Sequence, residues 1–122
     1  MIVIDYRDRR PIYEQIVERF QELILKNVLE PDSQLPSVRS LAMDLSINPN
    51  TIQRAYVELE RQGYIYSVQG KGSFVSENER LVLKKKEEIL DEAVKLAKVA
   101  REFGMKKEEF IRVIIDEFGE VS

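Results

Sequence analysis

The stretch "SVRSLAMDLSINPNTIQRAYVELERQG", Ser37 to Gly63, decides the fold, because it holds two short amphipathic patterns separated by almost nothing. In the first, Val38, Leu41, Ala42 and Leu45 recur at the spacing that lines one helix face, with Ser37 placed as N-cap. In the second, Ile52, Ala55, Tyr56 and Leu59 do the same. Asn48 caps that helix, Pro49 suits its first position because the missing N–H would have no intrahelical partner, and Gly63 ends it. The connection "SIN" is three residues long. A turn so tight predicts a helix-turn-helix pair, here without the glycine often found in such turns.

The second helix also carries a pattern that core packing does not explain. Asn50, Gln53, Arg54 and Val57 share the face opposite the apolar one, with Thr51 beside them in the first turn. Polar outer faces are the rule on helices. Asn, Gln and Arg are nevertheless the side chains that read base edges in pairs of hydrogen bonds, and the N–H groups of a helix start favour anions.

Upstream, "RPIYEQIVERFQELILKNVL" sets Tyr13, Ile16, Phe20, Leu23 and Ile24 on one stripe and predicts a helix over Pro11–Lys26. The two prolines of "LEPDSQLPS" break it. Downstream of Gly63, "YIYSV" and "SFVS" flank "QGKG" and read as a hairpin turned by Gly70 and Gly72. A lone hairpin is marginal, so it must pack on the helices. Three helices and a hairpin make a winged helix-turn-helix, predicted over residues 1–76.

From Glu77 the composition turns to charged helix. Leu83, Leu90 and Ala97 recur every seventh residue, with Ala93, Val94 and Ala100 beside them, an a/d-like seam. Gly104 stops this helix, and a last one places Phe110, Ile114 and Phe118 on one face. Neither helix can bury its stripe alone. The class is α+β, mostly α, with residues 77–122 a two-helix tail that buries Leu83, Leu90, Val94, Ala97, Phe110, Ile114 and Phe118 by dimerising.

Composition narrows the functions. The chain of 122 residues is 43% hydrophobic, enough for one modest core, and holds neither Cys nor His. That removes disulfides, thiolate metal sites, and the commonest general base and metal ligand. With no signal-like segment and no apolar span of about 20 residues, a cytoplasmic protein away from membranes is expected. The acidic pairs Glu87/Glu88, Asp91/Glu92 and Glu108/Glu109 interleave with lysines at helix-pair spacing, and "QGKG" lacks the rest of a P-loop. No enzyme, cofactor or metal is predicted. The net charge of −3 argues against a general polyanion binder, so DNA contact must be local. Between Gln34 and Ser76, Arg39, Arg54, Arg61 and Lys71 outnumber Asp44, Glu58 and Glu60.

The wording "LPSVRSLAMDLSINPNTIQRAYVELERQGYIYSVQGKGSFV", with "PIYEQI" upstream, resembles the DNA-binding domain of the GntR family of bacterial transcription regulators, and its YtrA-type subfamily in particular. The resemblance runs from about Ile4 to Val75. It implies a homodimer on a palindromic operator, usually as a repressor and often of a transporter operon. It further implies that Arg39 approaches a guanine or a phosphate, that Ser37 and Thr51 bind phosphates, that Arg54 reads or flanks the operator, and that Gly70 and Lys71 reach the minor groove. Pro49 and Gln53 stand where many members have Arg, so their base preference does not transfer. Asn27 and Asp32 stand where glycines are common, and both types tolerate positive φ. The tail is too short for the large effector domain of other branches, so a small-molecule effector pocket is not expected from this chain alone, though a dimer cleft could form one.

Simpler readings stand beside each contact. Arg39 can pair with Asp44 or Glu60, Arg54 with Glu58 one turn on, Lys71 can be a turn residue, and Lys84 to Lys86 form a solvated face. The rival function is a winged-helix adaptor that docks proteins. It would need apolar anchors on the outer face of the third helix, where this chain offers Asn50, Thr51, Gln53 and Arg54.

Overall fold

A computed structural model describes residues 2–119. In chain order its elements are α1 (Ile12–Leu25), α2 (Val38–Leu45), α3 (Pro49–Arg61), β1 (Ile65–Val68), β2 (Gly72–Val75), α4 (Glu79–Glu102) and α5 (Lys107–Phe118). The chain divides into two compact units, residues 1–82 and 83–122. The boundary falls inside α4. Its first turn stays with the first unit because Leu81 packs on that core and the Asn78 side-chain amide donates to the Ile24 carbonyl at 3.1 Å.

The helix ends follow from their caps. Pro11 and Lys26 flank α1 rather than extending it. Ser37 Oγ accepts from the Ser40 N–H at 3.0 Å, and Asn48 Oδ1 from the Asn50 N–H at 2.8 Å. Without a glycine between α2 and α3, Ser46 itself takes the left-handed conformation, φ 55°, at a cost of about 1 kcal/mol. The following Ile47 N–H returns to the Ala42 carbonyl at 2.9 Å and offsets that strain. Asn27 and Asp32 sit at φ 59° and 66°, as expected of residues replacing glycine.

The core of the first unit joins Ile16, Phe20 and Ile24 of α1 to Leu41 and Ala42 of α2, to Ile52, Ala55, Tyr56 and Leu59 of α3, and to Ile65 and Val75 of the hairpin. Val38 and Leu45 lie only half-buried at its margin, as does Tyr13. Buried Gln15 holds the main chain of Asp5 from both sides, accepting from its N–H at 3.0 Å and donating to its carbonyl at 3.1 Å. That bond pair anchors the segment before α1.

Strands β1 and β2 pair antiparallel, Ile65 opposite Val75 and Val68 opposite Gly72. The sequence predicts two strands, but the loop after α1 adds a third layer of pairing. Gln34 bridges to Phe74, the Asp32 N–H donates to the Val75 carbonyl at 2.7 Å, and the Leu35 N–H to the Ser73 carbonyl at 2.9 Å. The "LP" turn is tied in as well. The Tyr56 hydroxyl donates to the Pro36 carbonyl at 2.7 Å while its ring meets Phe20 edge-on, centroids 5.8 Å apart. Burial pushes the Tyr56 phenol up, so it remains a donor at any physiological pH. Tyr56→Phe should cost about 1–2 kcal/mol, since it leaves that carbonyl without its partner. Urea unfolding measures this, and an unchanged midpoint would mean the bond contributes nothing.

In the second unit, Gly104 ends α4 at φ 75°, and the Met105 N–H donates back to the Ala100 carbonyl at 3.0 Å. No residue of α4 or α5 is buried. Leu83, Leu90, Val94 and Phe118 are 61%, 66%, 54% and 70% exposed. Ala97 and Ile114 are exposed too, and Phe110 is half-buried. Val94, Ala97, Phe110 and Ile111 line an open apolar groove of about 610 Å³ rimmed by Lys98, Arg101 and Lys107. Among the described residues no helix is long and apolar enough to cross a membrane.

Candidate DNA interface

The surface begins at the first turn of α3. With Ile52, Ala55, Tyr56 and Leu59 committed to the core, the helix period turns Asn50, Gln53 and Arg54 outward, and all three are exposed. Thr51 is half-buried between the two faces. One helical turn beyond Gln53, Val57 adds an exposed apolar side chain, the type that contacts a thymine methyl.

The acids nearest this face are engaged elsewhere. Glu58 is gripped by Arg61, whose Nε donates to its two carboxylate oxygens at 2.9 and 3.1 Å, and by Gln62 Nε2 at 2.8 Å. The Arg61 hydrogen bonds, then that of Gln62, hold its carboxyl down at about 2, far below the usual carboxylate range. Glu60 accepts from Ser67 Oγ at 2.5 Å. No close ion pair joins Arg54 to Glu58; Arg54 only adds a weaker, longer-range attraction that also lowers that carboxyl. Arg54 lies instead over the ring of Tyr13 from α1, its Cζ 3.9 Å from the centroid. Such a cation–π contact contributes about 0.5–1 kcal/mol at an exposed site, and it holds the guanidinium at the surface without neutralising it.

Tyr13 was expected in the buried stripe of α1. In the structure it forms, with Pro11, Ile12, Asn50, Thr51 and Arg54, an open recess of about 420 Å³ where the starts of α1 and α3 meet. Periodicity could not separate the two roles, because the same spacing serves a core residue and a platform at the margin.

Ser37 and Arg39 stand exposed at the start of α2. Ser37 Oγ uses a lone pair on the Ser40 N–H, which leaves its own O–H free to donate to an anion. Arg39 has no ion-pair partner among the described residues, so neither Asp44 nor Glu60 holds it. At the hairpin tip Gly70 and Gly72 take φ 76° and 116°, with Lys71 exposed between them. The Lys71 N–H donates to the Val68 carbonyl at 2.9 Å, and its carbonyl accepts from Gln34 Nε2 at 2.8 Å. Nothing in the sequence marks Gln34 for this contact, just as spacing assigns Tyr13 to the core stripe and not to the surface beside Arg54. The structure thus gathers Asn50, Thr51 and Arg54 around one recess, with Gln53 on the same helix, Ser37 and Arg39 on α2, and Gly70 and Lys71 on the wing. Among the described residues no group of three or more His, Cys, Asp or Glu is arranged to hold a metal.

Known proteins share this fold. Residues 12–75 match the family described as bacterial regulatory proteins, gntR family. The HTH-type transcriptional repressor YtrA of Bacillus subtilis is 49% identical over 83 residues, which cover 68% of this chain and 64% of YtrA. A transcriptional regulator from Oenococcus oeni superposes with a TM-score of 0.80 at 31% identity, covering 98% of this chain and 100% of that one. The DNA-binding domain of AraR in complex with an operator superposes at 0.53 with 30% identity, covering 62% of this chain and 93% of AraR's domain. The winged helix-turn-helix, its outward polar helix and these likenesses agree: the chain belongs to the gntR family of bacterial transcription regulators and carries that family's DNA-binding domain.

Proposed function

We propose that the chain is a cytoplasmic repressor that reads a palindromic operator as a homodimer. The observation that carries this reading is the outward face of α3, where Asn50, Gln53 and Arg54 are exposed while the acids of that helix hold Arg61, Gln62 and Ser67. Such a face suits the major groove, where Asn and Gln pair with adenine and Arg with guanine. Ser37 and Thr51 bind the flanking phosphates, Arg39 takes a phosphate or a guanine, and Gly70 with Lys71 enters the minor groove. The names of its relatives support the role: YtrA is a repressor, and AraR's domain is held by an operator. The resemblance to YtrA-type regulators points to a transporter operon as the target.

The tail makes the dimer. Leu83, Leu90, Val94, Ala97, Phe110, Ile114 and Phe118 expose more apolar surface than a lone helix pair leaves to water. A two-fold dimer covers it and matches a palindrome with half-sites about 34 Å or a multiple apart. Selection from random duplexes, followed by anisotropy titration at fixed salt, tests the whole reading. Enrichment of an inverted repeat, bound at least about a thousandfold tighter than random DNA, is expected; no enrichment would return the chain to the adaptor reading.

The wing has its own signature. Lys71→Ala should lower the slope of log affinity against log salt by about 1 and leave sequence preference intact, because a minor-groove or phosphate cation acts through counterion release. An unaltered slope would make Lys71 a turn residue only.

A further inference from the structure

We infer that Gln34 is the positioning residue of the wing: its side-chain amide, reaching from the loop before α2, locks the peptide that aims Lys71. The inference rests on the proposed role of the wing and deepens it. A hairpin of two four-residue strands does not hold its own tip rigid. The tip's inward bond, Lys71 N–H to the Val68 carbonyl, closes the turn, and the Val68–Gly72 pairing starts the ladder, but neither takes the outward-facing carbonyl of the next peptide. That peptide carries the Lys71 carbonyl, which Gln34 Nε2 takes at 2.8 Å across 37 residues of sequence.

Two further observations converge on the same side chain. The main chain of Gln34 bridges to Phe74, with Leu35 N–H on the Ser73 carbonyl. The amide is thus delivered by a strand-like segment already registered on β2. Second, a Cβ built on Gly72 would lie 2.9 Å from Gln34 Nε2. The amide occupies the space that any side chain at position 72 would need, and the φ of 116° there excludes most residues independently. Glycine at 72 and a long amide donor at 34 are therefore two halves of one device. Glutamate would not serve, since an ionised carboxylate only accepts hydrogen bonds and the partner is a carbonyl.

An exposed bond of this kind adds little to global stability. Its consequence lies in binding, where a tip already held in its bound geometry loses less freedom on contact with DNA. Gln34→Met keeps the length of the side chain and removes the donor without adding charge. Operator affinity and salt slope are measured for Gln34→Met, Lys71→Ala and the double variant, each checked for an unchanged melting temperature. Gln34→Met is expected to weaken binding by about three- to tenfold, and to add nothing once Lys71 is alanine. If Gln34→Met binds as tightly as the parent, the inference is overturned while the role of Lys71 stands. If the two losses multiply in the double variant, Gln34 touches DNA itself and is no positioning residue. If Lys71→Ala alone changes neither affinity nor slope, the wing reading fails and takes the inference with it.

Discussion

Leu90→Asp should convert the protein from dimer to monomer and abolish tight binding to the full palindrome. In the single chain Leu90 is two-thirds exposed on α4, in the seam with Leu83, Val94 and Ala97, so the substitution costs an isolated protomer almost nothing. In the proposed dimer the same position is covered, and an unpaired carboxylate there costs about 3–5 kcal/mol if it stays ionised. Two-fold symmetry places the change in both copies. Residues 1–82 keep their own core from Ile16 to Val75 and stay folded. Sedimentation and operator titration on the same samples decide the matter. A variant that remains dimeric, or a monomer that binds the palindrome like the parent, would show that the tail has another purpose.

Arg54→Ala comes next in size. As a base or phosphate contact it should weaken operator binding by about 1–3 kcal/mol, roughly five- to 150-fold, and relax preference at one position of the half-site. Its effect on folding comes mainly from the contact with the Tyr13 ring, about 1 kcal/mol, because Glu58 is held chiefly by Arg61 and Gln62. Loss of affinity far exceeding loss of stability is therefore the expected pattern. Equal losses in both would make Arg54 a structural residue clamped on α1.

What was legible in the sequence is what depends on near neighbours. Ser37 and Asn48 cap because a short oxygen-bearing side chain reaches its own helix start. The four apolar positions of α3 declare a buried face, and with it the outward one, because the helix period leaves no choice. The candidate interface on α3 was legible for the same reason. The left-handed turns at Asn27 and Asp32 were legible through the family resemblance, which sets them where glycines are common, and both types tolerate that conformation.

Tertiary structure decided every matter of competing partners. Glu58 has Arg54 four residues before it and Arg61 three after, both within helix-pair reach; the Tyr13 ring, brought alongside by α1, takes the Arg54 guanidinium and leaves the close contacts of Glu58 to Arg61 and Gln62. Tyr13 itself shares the spacing of Ile16 and Phe20, yet only the crossing of α1 by α3 sets which members of that stripe go under and which stays at the rim. The third stretch of the wing, Asp32 to Leu35, shows no alternation and lies between two prolines, so nothing local marks it as paired. Its hydrogen bonds are made to residues about forty positions away. Periodicity reports which side of an element faces inward; which partner meets it there depends on packing between elements, and that arises only when the chain has closed on itself.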